Sequence, residues 1–174
     1  MATLTRVFEF DAAHRVMHEK VKCFNLHGHR FRVEVTFEYH QTSRLGYAID
    51  FKELKRIAGN WIDSYLDHAA IFNPLDKEFI ELNRSMGLRT YVMGMGVIAD
   101  INPSAETIAE EMLYTLRVLF SRHPVIVKSV KLYETPNCWV EVDCTNVTPT
   151  MEVDENLMQL RDIYGIVNYD ERED

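Results

Sequence analysis

The chain reads as an α+β domain, an antiparallel sheet of four strands with helices packed on one face. Three observations lead there. Alternating apolar positions mark strands near both ends, and helix-start signals followed by apolar residues at helical spacing fill the middle. The resulting order, ββα(α)αββ, is that of an α+β fold. At 174 residues with 47% hydrophobic side chains, the chain suffices for one domain with its own core.

Leu4–Phe10 alternates, with Leu4, Phe8 and Phe10 on one face and Arg6 interrupting it. Phe31–Tyr39 alternates without a break, so Phe31, Val33, Val35, Phe37 and Tyr39 share a face. Gly46 closes the next connection. Asp50-Phe-Lys-Glu53 has the pattern of a capping box and opens a helix to about Leu66, with Phe51, Leu54, Ile57, Ala58, Trp61 and Ile62 inward. Asn73-Pro74 starts a second helix ending near Gly87. Tyr91–Ala99 is apolar with two glycines and fits either a strand or a loop. Asn102-Pro103 opens a long helix to about Phe120. Val125–Glu134 and Cys138–Cys144 form a hairpin around Thr135-Pro136-Asn137, with Ile126, Val130, Leu132 and Glu134 on one face of its first arm. No period marks a repeat architecture.

Charge separates two regions. Residues 150–174 hold eight acids and two arginines and read as an acidic extension, with a short helix inside Asp154–Tyr164 and a solvated tail from Tyr169. Against an overall net charge of −8, Ala12–Val33 carries Arg15, Lys20, Lys22, Arg30 and Arg32 with Glu19 as its one acid. The overall charge argues against a general nucleic-acid surface. The basic island suggests an anionic ligand, with a solvated loop as the plainer alternative. Three cysteines, an odd number in a chain of this size, read as free thiols in a reducing compartment. The N-terminus lacks the apolar core of a signal peptide, and Thr90–Ala99, the longest uncharged run, is about half a membrane span. The expectation is a soluble, cytoplasmic protein.

Strand parity gathers three histidines. Continued past Phe10, the inward face of the first strand reaches Ala12 and His14. Traced back from Phe31, that of the second reaches His29 and His27. In an antiparallel pair those two ends are neighbours, so His14, His27 and His29 converge at one edge. Three neutral imidazoles describe an open zinc site. Cys23 offers a competing reading as a fourth ligand, which would close the site and make it structural. Glu134 ends an apolar strand face, where a carboxylate costs desolvation unless paired; it is a ligand anchor or a sheet-edge acid in water. Asp67-His68 has the makings of an oriented base, although such a pair at a helix end is commonplace. Glu106 falls in a helix's first turn, where an ordinary capping acid is also at home. His18, His40 and His123 read as surface residues.

Several segments together resemble one family: Phe10-Asp-Ala-Ala-His14, Cys23-Phe-Asn-Leu-His27-Gly-His29, Gly46-Tyr-Ala-Ile-Asp50-Phe, Leu66-Asp-His68, Asn102-Pro-Ser-Ala-Glu106 and Tyr133-Glu134-Thr135. In this order, across about residues 3–144, they resemble the 6-pyruvoyl-tetrahydropterin synthase family. Three residues between Cys23 and His27 resemble its 6-carboxy-tetrahydropterin synthase branch, which acts in 7-deazaguanine and queuosine biosynthesis.

The resemblance implies a tunnelling fold, assembled as trimers or dimers of trimers, with a catalytic zinc on His14, His27 and His29. It implies that Cys23 shuttles protons at the substrate side chain and forms a triad with Asp67 and His68, these two donated by the same or a neighbouring subunit. It implies that Glu134 grips the pterin ring and that Glu106 helps line the pocket. The substrate implied is 7,8-dihydroneopterin triphosphate; the products are 6-carboxy-tetrahydropterin, acetaldehyde and triphosphate. The alternatives are pyruvoyl-forming elimination of triphosphate and a non-catalytic zinc- or pterin-binding module. Residues 1–149 then form the synthase domain, with an insertion at about 69–102 beyond the family's compact form, and 150–174 an added extension.

Overall fold

A computed structural model describes residues 1–96 and 100–145; the expectations for residues 150–174 lie outside the described residues. Two 13-residue strands, β1 (Ala2–His14) and β2 (His27–Tyr39), run antiparallel in unbroken register from Ala2 opposite Tyr39 to His14 opposite His27. A short 3-10 turn, Lys22–Phe24, lies in the connection between them. Helix α1 (Phe51–Leu54) passes through a π-helical turn at Lys55–Gly59 into α2 (Asn60–Tyr65). Then come β3 (Ala70–Phe72), α3 (Lys77–Ser85), β4 (Thr90–Val92) and a 3-10 turn at Met93–Gly96. The long helix α4 (Ala105–Leu119) precedes the hairpin β5 (Ile126–Thr135) and β6 (Cys138–Asp143).

The fold is α+β, but its sheet differs from the expected four antiparallel strands. It has six, in the order β4-β3-β1-β2-β5-β6, and is mixed, because β3 runs parallel to β1 and β4 parallel to β3. The two additional strands are three residues each, too short to display alternation, and β3 is buried throughout, so it has no polar face to betray it. They occupy the free edge of β1 at its C-terminal end, where the Ala13 amide donates to the Ala69 carbonyl at 2.9 Å. The apolar Tyr91–Ala99 segment therefore begins as strand and continues as the 3-10 turn at Met93–Gly96, its last three residues lying outside the described ones.

Alternation on β1 and β2 buries Phe10, Ala12, Phe31, Val33, Val35 and Phe37 in one core with Leu54, Ala58, Trp61 and Ile62 and with Ile108, Met112 and Leu116 of α4. Phe51 stays half-exposed, and the inward stripe begins at Leu54. Asp50 caps the first helix by accepting from the Lys52 amide at 2.8 Å, whereas Glu53 turns to Arg56 rather than back to the cap. Ser104 and Thr107 form the reciprocal box that opens α4. Helix α3 departs from the single helical face. It packs through Ile80 and Phe79 on Ala70, Phe72 and Ala13, whereas Ile71 and Ala12, their neighbours in the strands, enter the main core. Successive strand residues point to opposite faces, so α3 covers the other side of the sheet at this edge.

Candidate active site

The unbroken β1/β2 register decides where the histidines meet. His14 lies opposite His27 and Ala12 opposite His29, so all three imidazoles leave the same face at one end of the ribbon. Ring centroids are 4.6 Å apart for His14–His27, 5.2 Å for His14–His29 and 5.0 Å for His27–His29. One nitrogen from each lies within 4.8 Å of the others. Gly28, between the two β2 histidines, sits where a side chain would crowd the paired strand: a Cβ there would lie 3.1 Å from the Ala12 carbonyl oxygen.

Backbone carbonyls orient two of the rings. His14 Nδ1 donates to the Pro103 carbonyl at 2.6 Å, and His27 Nδ1 donates to the Asn25 carbonyl at 2.8 Å. A carbonyl only accepts, so each Nδ1 carries the proton and each Nε2 presents a lone pair to the cluster. His14 is 1% exposed, and its Nε2 has no hydrogen-bond partner. Burial lowers the His14 pKa; the Pro103 bond and Glu134 oppose the shift, and the other two histidines add to it.

Glu134 reaches the same point by way of two irregularities in β5. The even-numbered face expected to point inward is correct only beyond a bulge. Val127 pairs with Phe37 and Ser129 with Thr36, leaving Lys128 as an extra residue that reverses the parity. Val127, Val130 and Leu132 are buried, and Ile126, expected inward, is 49% exposed. A second irregularity leaves Glu134 unpaired between Tyr133–Trp139 and Thr135–Cys138. Its Oε1 stands 3.5 Å from His14 Nε2 and 3.9 Å from His29 Nε2.

This donor set suits a metal. Three converging imidazole nitrogens, a buried and otherwise orphaned Nε2, and tautomers fixed by carbonyls are what a divalent cation on histidine requires. Cys23 does not belong to the convergent set; it is exposed on the 3-10 turn, two residues before the carbonyl that orients His27.

Asp67 and His68 form a hydrogen-bonded pair, with His68 Nδ1 2.8 Å from Asp67 Oδ2. The other Asp67 oxygen accepts the Asp11 amide at 2.9 Å, and the His68 amide donates to the Asp11 carbonyl, so the pair is pinned to the edge of β1. The His68 side chain is 75% exposed. Its charge bears on Asp11, a carboxyl held low first by its hydrogen bond to Arg30. Asp11 alternates with Ala12 and His14, so the pair lies beside residues that leave the sheet opposite the histidine cluster. Glu106 is exposed in the first turn of α4; from that region it is the Pro103 carbonyl that touches the cluster.

The basic island splits up. Arg15 is buried against Asp76, Arg30 is bonded twice to Asp11, and Arg32 meets Glu34 at 2.6 Å. Lys20 and Lys22 are exposed and form no ion pair among the described residues. Sequence reasoning missed the Pro103 and Asn25 carbonyls, because any residue type supplies a carbonyl. It also missed the Arg15–Asp76 pair, which spans 61 positions with no local signal.

Comparison with known proteins adds an independent line. Residues 3–144 match the family model described as 6-pyruvoyl tetrahydropterin synthase. The chain is 40% identical over 144 residues to the 6-carboxy-5,6,7,8-tetrahydropterin synthase of Rickettsia conorii, covering 82% of this chain and 100% of that protein. It is 33% identical over 147 residues to the protein of that name from Helicobacter pylori strain J99, covering 79% and 70%. Among solved structures, the 6-pyruvoyl tetrahydropterin synthase of Caenorhabditis elegans superposes with a TM-score of 0.57 at 24% identity, over 82% of this chain and 94% of that one. An uncharacterized protein of Wolinella succinogenes superposes at 0.67 with 23% identity, over 82% and 98%. These two establish likeness of fold.

Proposed function

The chain belongs to the 6-pyruvoyl tetrahydropterin synthase family, and on that premise we propose that it is a 6-carboxy-5,6,7,8-tetrahydropterin synthase. In this reading it converts 7,8-dihydroneopterin triphosphate to 6-carboxy-tetrahydropterin, acetaldehyde and triphosphate, a step toward 7-deazaguanines and queuosine. The name shared by relatives at 40% identity supports the carboxy-forming branch. The observation that carries the chemistry is the cluster of three imidazoles with the Glu134 carboxylate at its rim.

His14, His27 and His29 would hold zinc through the face of the cluster that the Pro103 and Asn25 carbonyls leave free. Bound there, the metal supplies Lewis-acid polarisation of the substrate's side-chain oxygens. Glu134 accepts the paired N–H donors of the pterin ring, a two-point match that fixes the ring beside the cluster. Cys23 removes and returns protons at the substrate side chain, a role open to a thiol because its thiolate is a competent base. His68, with Nδ1 on Asp67, offers Nε2 for the second proton. Lys20 and Lys22, on the connection that carries Cys23, receive the triphosphate.

The Asp67–His68 pair serves a neighbouring subunit's cluster in this proposal. What supports it is the pair's exposure beside residues that leave the sheet opposite its own histidines. An oligomer follows, a trimer or dimer of trimers. Among the described residues, no helix is long and apolar enough to cross a membrane.

The test is to incubate zinc-loaded protein with 7,8-dihydroneopterin triphosphate and identify products by mass spectrometry. Acetaldehyde with 6-carboxy-tetrahydropterin is expected; a pyruvoyl product without acetaldehyde overturns the carboxy-forming assignment. Cys23→Ala is expected to abolish turnover with zinc retained. Loss of zinc in that variant would instead restore the closed-site reading.

A further inference from the structure

We propose that Arg15 is a positioning residue for the Cys23 turn, clamping it against the 69–102 segment through Phe24, Phe79 and Asp76. The consequence for catalysis rests on the assignment of Cys23 above.

Arg15 directly follows His14 and is 7% exposed. Its guanidinium carbon lies 4.5 Å from the centre of the Phe24 ring and 4.2 Å from that of Phe79. Its Nε is 3.0 Å from Asp76 Oδ2, with both side chains buried. Burial pushes the Asp76 carboxyl up from its usual range, and Arg15 opposes that shift. A planar cation between two rings, with a carboxylate nearby, joins two remote parts of the chain: Phe24 adjoins Cys23, while Asp76 and Phe79 belong to the start of α3. A lysine would carry the charge but not the broad, weakly hydrated guanidinium that both rings contact.

The turn depends on such support, because Lys22–Phe24 buries none of its own residues. Two other ties lead to it. The Val16 amide donates to the Cys23 carbonyl at 2.8 Å, so the chain just after Arg15 holds the thiol-bearing residue. Asn102 accepts from the Met17 amide at 2.8 Å and donates to the Met17 carbonyl at 3.1 Å, while Asn73 donates to the same Asn102 oxygen. Both ends of the 69–102 segment thus grip the connection that carries Cys23. The segment acts as a buttress for the reactive thiol.

The test uses Phe79→Leu, Phe79→Tyr and Asp76→Asn in the full-length chain, with Glu81→Gln on the exposed side of α3 as control. Amide exchange in residues 16–26 is expected to rise about tenfold in Phe79→Leu and Asp76→Asn, with α4 unchanged. Turnover should fall roughly 10- to 100-fold at nearly constant KM and full zinc content, as suits a displaced reacting group. Phe79→Tyr, which keeps the ring, and Glu81→Gln should both match the parent. Unchanged exchange in residues 16–26, or equal acceleration in α4, overturns the clamp. Faster exchange with undiminished turnover overturns its positioning role. If Cys23→Ala also turns over normally, it is the catalytic assignment of Cys23 that falls, and the clamp stands.

Discussion

Glu134 Oε1 stands 3.5 Å from His14 Nε2 with no hydrogen bond between them. With His14 Nδ1 donating to Pro103, both facing atoms carry lone pairs, an arrangement that a cation relieves. The carboxylate therefore lies close enough to sense a cation held there, and it is β5 rather than the histidine ribbon that brings it. Glu134→Gln should leave zinc at one per chain and weaken pterin binding by at least about tenfold, in line with loss of a charge-assisted hydrogen bond. Calorimetry with a pterin ligand reads this. Unaltered affinity, or loss of zinc, counts against the pterin-gripping role.

Metal binding should stabilise the fold. With free zinc at about 100 times its Kd, the native state gains about 2.7 kcal/mol, or roughly 5–10 °C in melting temperature for a domain of this size. Chelation should reverse that shift, and His27→Ala should abolish it by leaving two imidazoles. A zinc-dependent shift of normal size in His27→Ala would exclude this cluster as the site.

Acid should destabilise the metal-free protein in part through His14. Burial lowers its pKa, so the folded state resists a proton that the unfolded chain accepts near pH ~6.5. Below that value the unfolded state binds more protons, and stability drops as the pH falls. Melting of chelated protein between pH 7.5 and 5.5 should show this slope, and His14→Gln should flatten it. An equal slope in the variant would mean that other groups set the acid response.

Glu111 fastens the added edge of the sheet. Its buried carboxylate accepts from the Tyr91 hydroxyl at 2.5 Å and from the Gly94 amide at 2.7 Å, joining α4 to β4 and the turn after it. Glu111→Gln places an N–H where one of those donors points. It should cost about 1–3 kcal/mol in urea unfolding. A midpoint within error of the parent would show that the carboxylate contributes little there.

The long elements and the meeting of three histidines were legible because one periodicity governs each. Alternation on β1 and β2 runs unbroken from Ala2 to His14 and from His27 to Tyr39, so parity alone carries three histidines to one place. In β5 the same reasoning holds at Val130, Leu132 and Glu134 but fails at Ile126, because the bulge at Lys128 has no residue signature that parity counting detects. Strand β3 escaped because three residues cannot show a period, and for the same reason the segment that begins as β4 fitted strand and loop alike.

The sequence by itself determined the α+β class, the convergence of His14, His27 and His29, the Asp67–His68 adjacency and the family to which these motifs point. Each follows from local spacing or from a single strand pair. Only the tertiary structure decided that the sheet has six strands, that Arg15 is buried against Phe24 and Phe79, that backbone carbonyls orient His14 and His27, and that Asp67–His68 is pinned to Asp11 at the edge of β1. Those features join residues tens of positions apart, where burial and the packing of one segment on another, rather than any local period, select the partner.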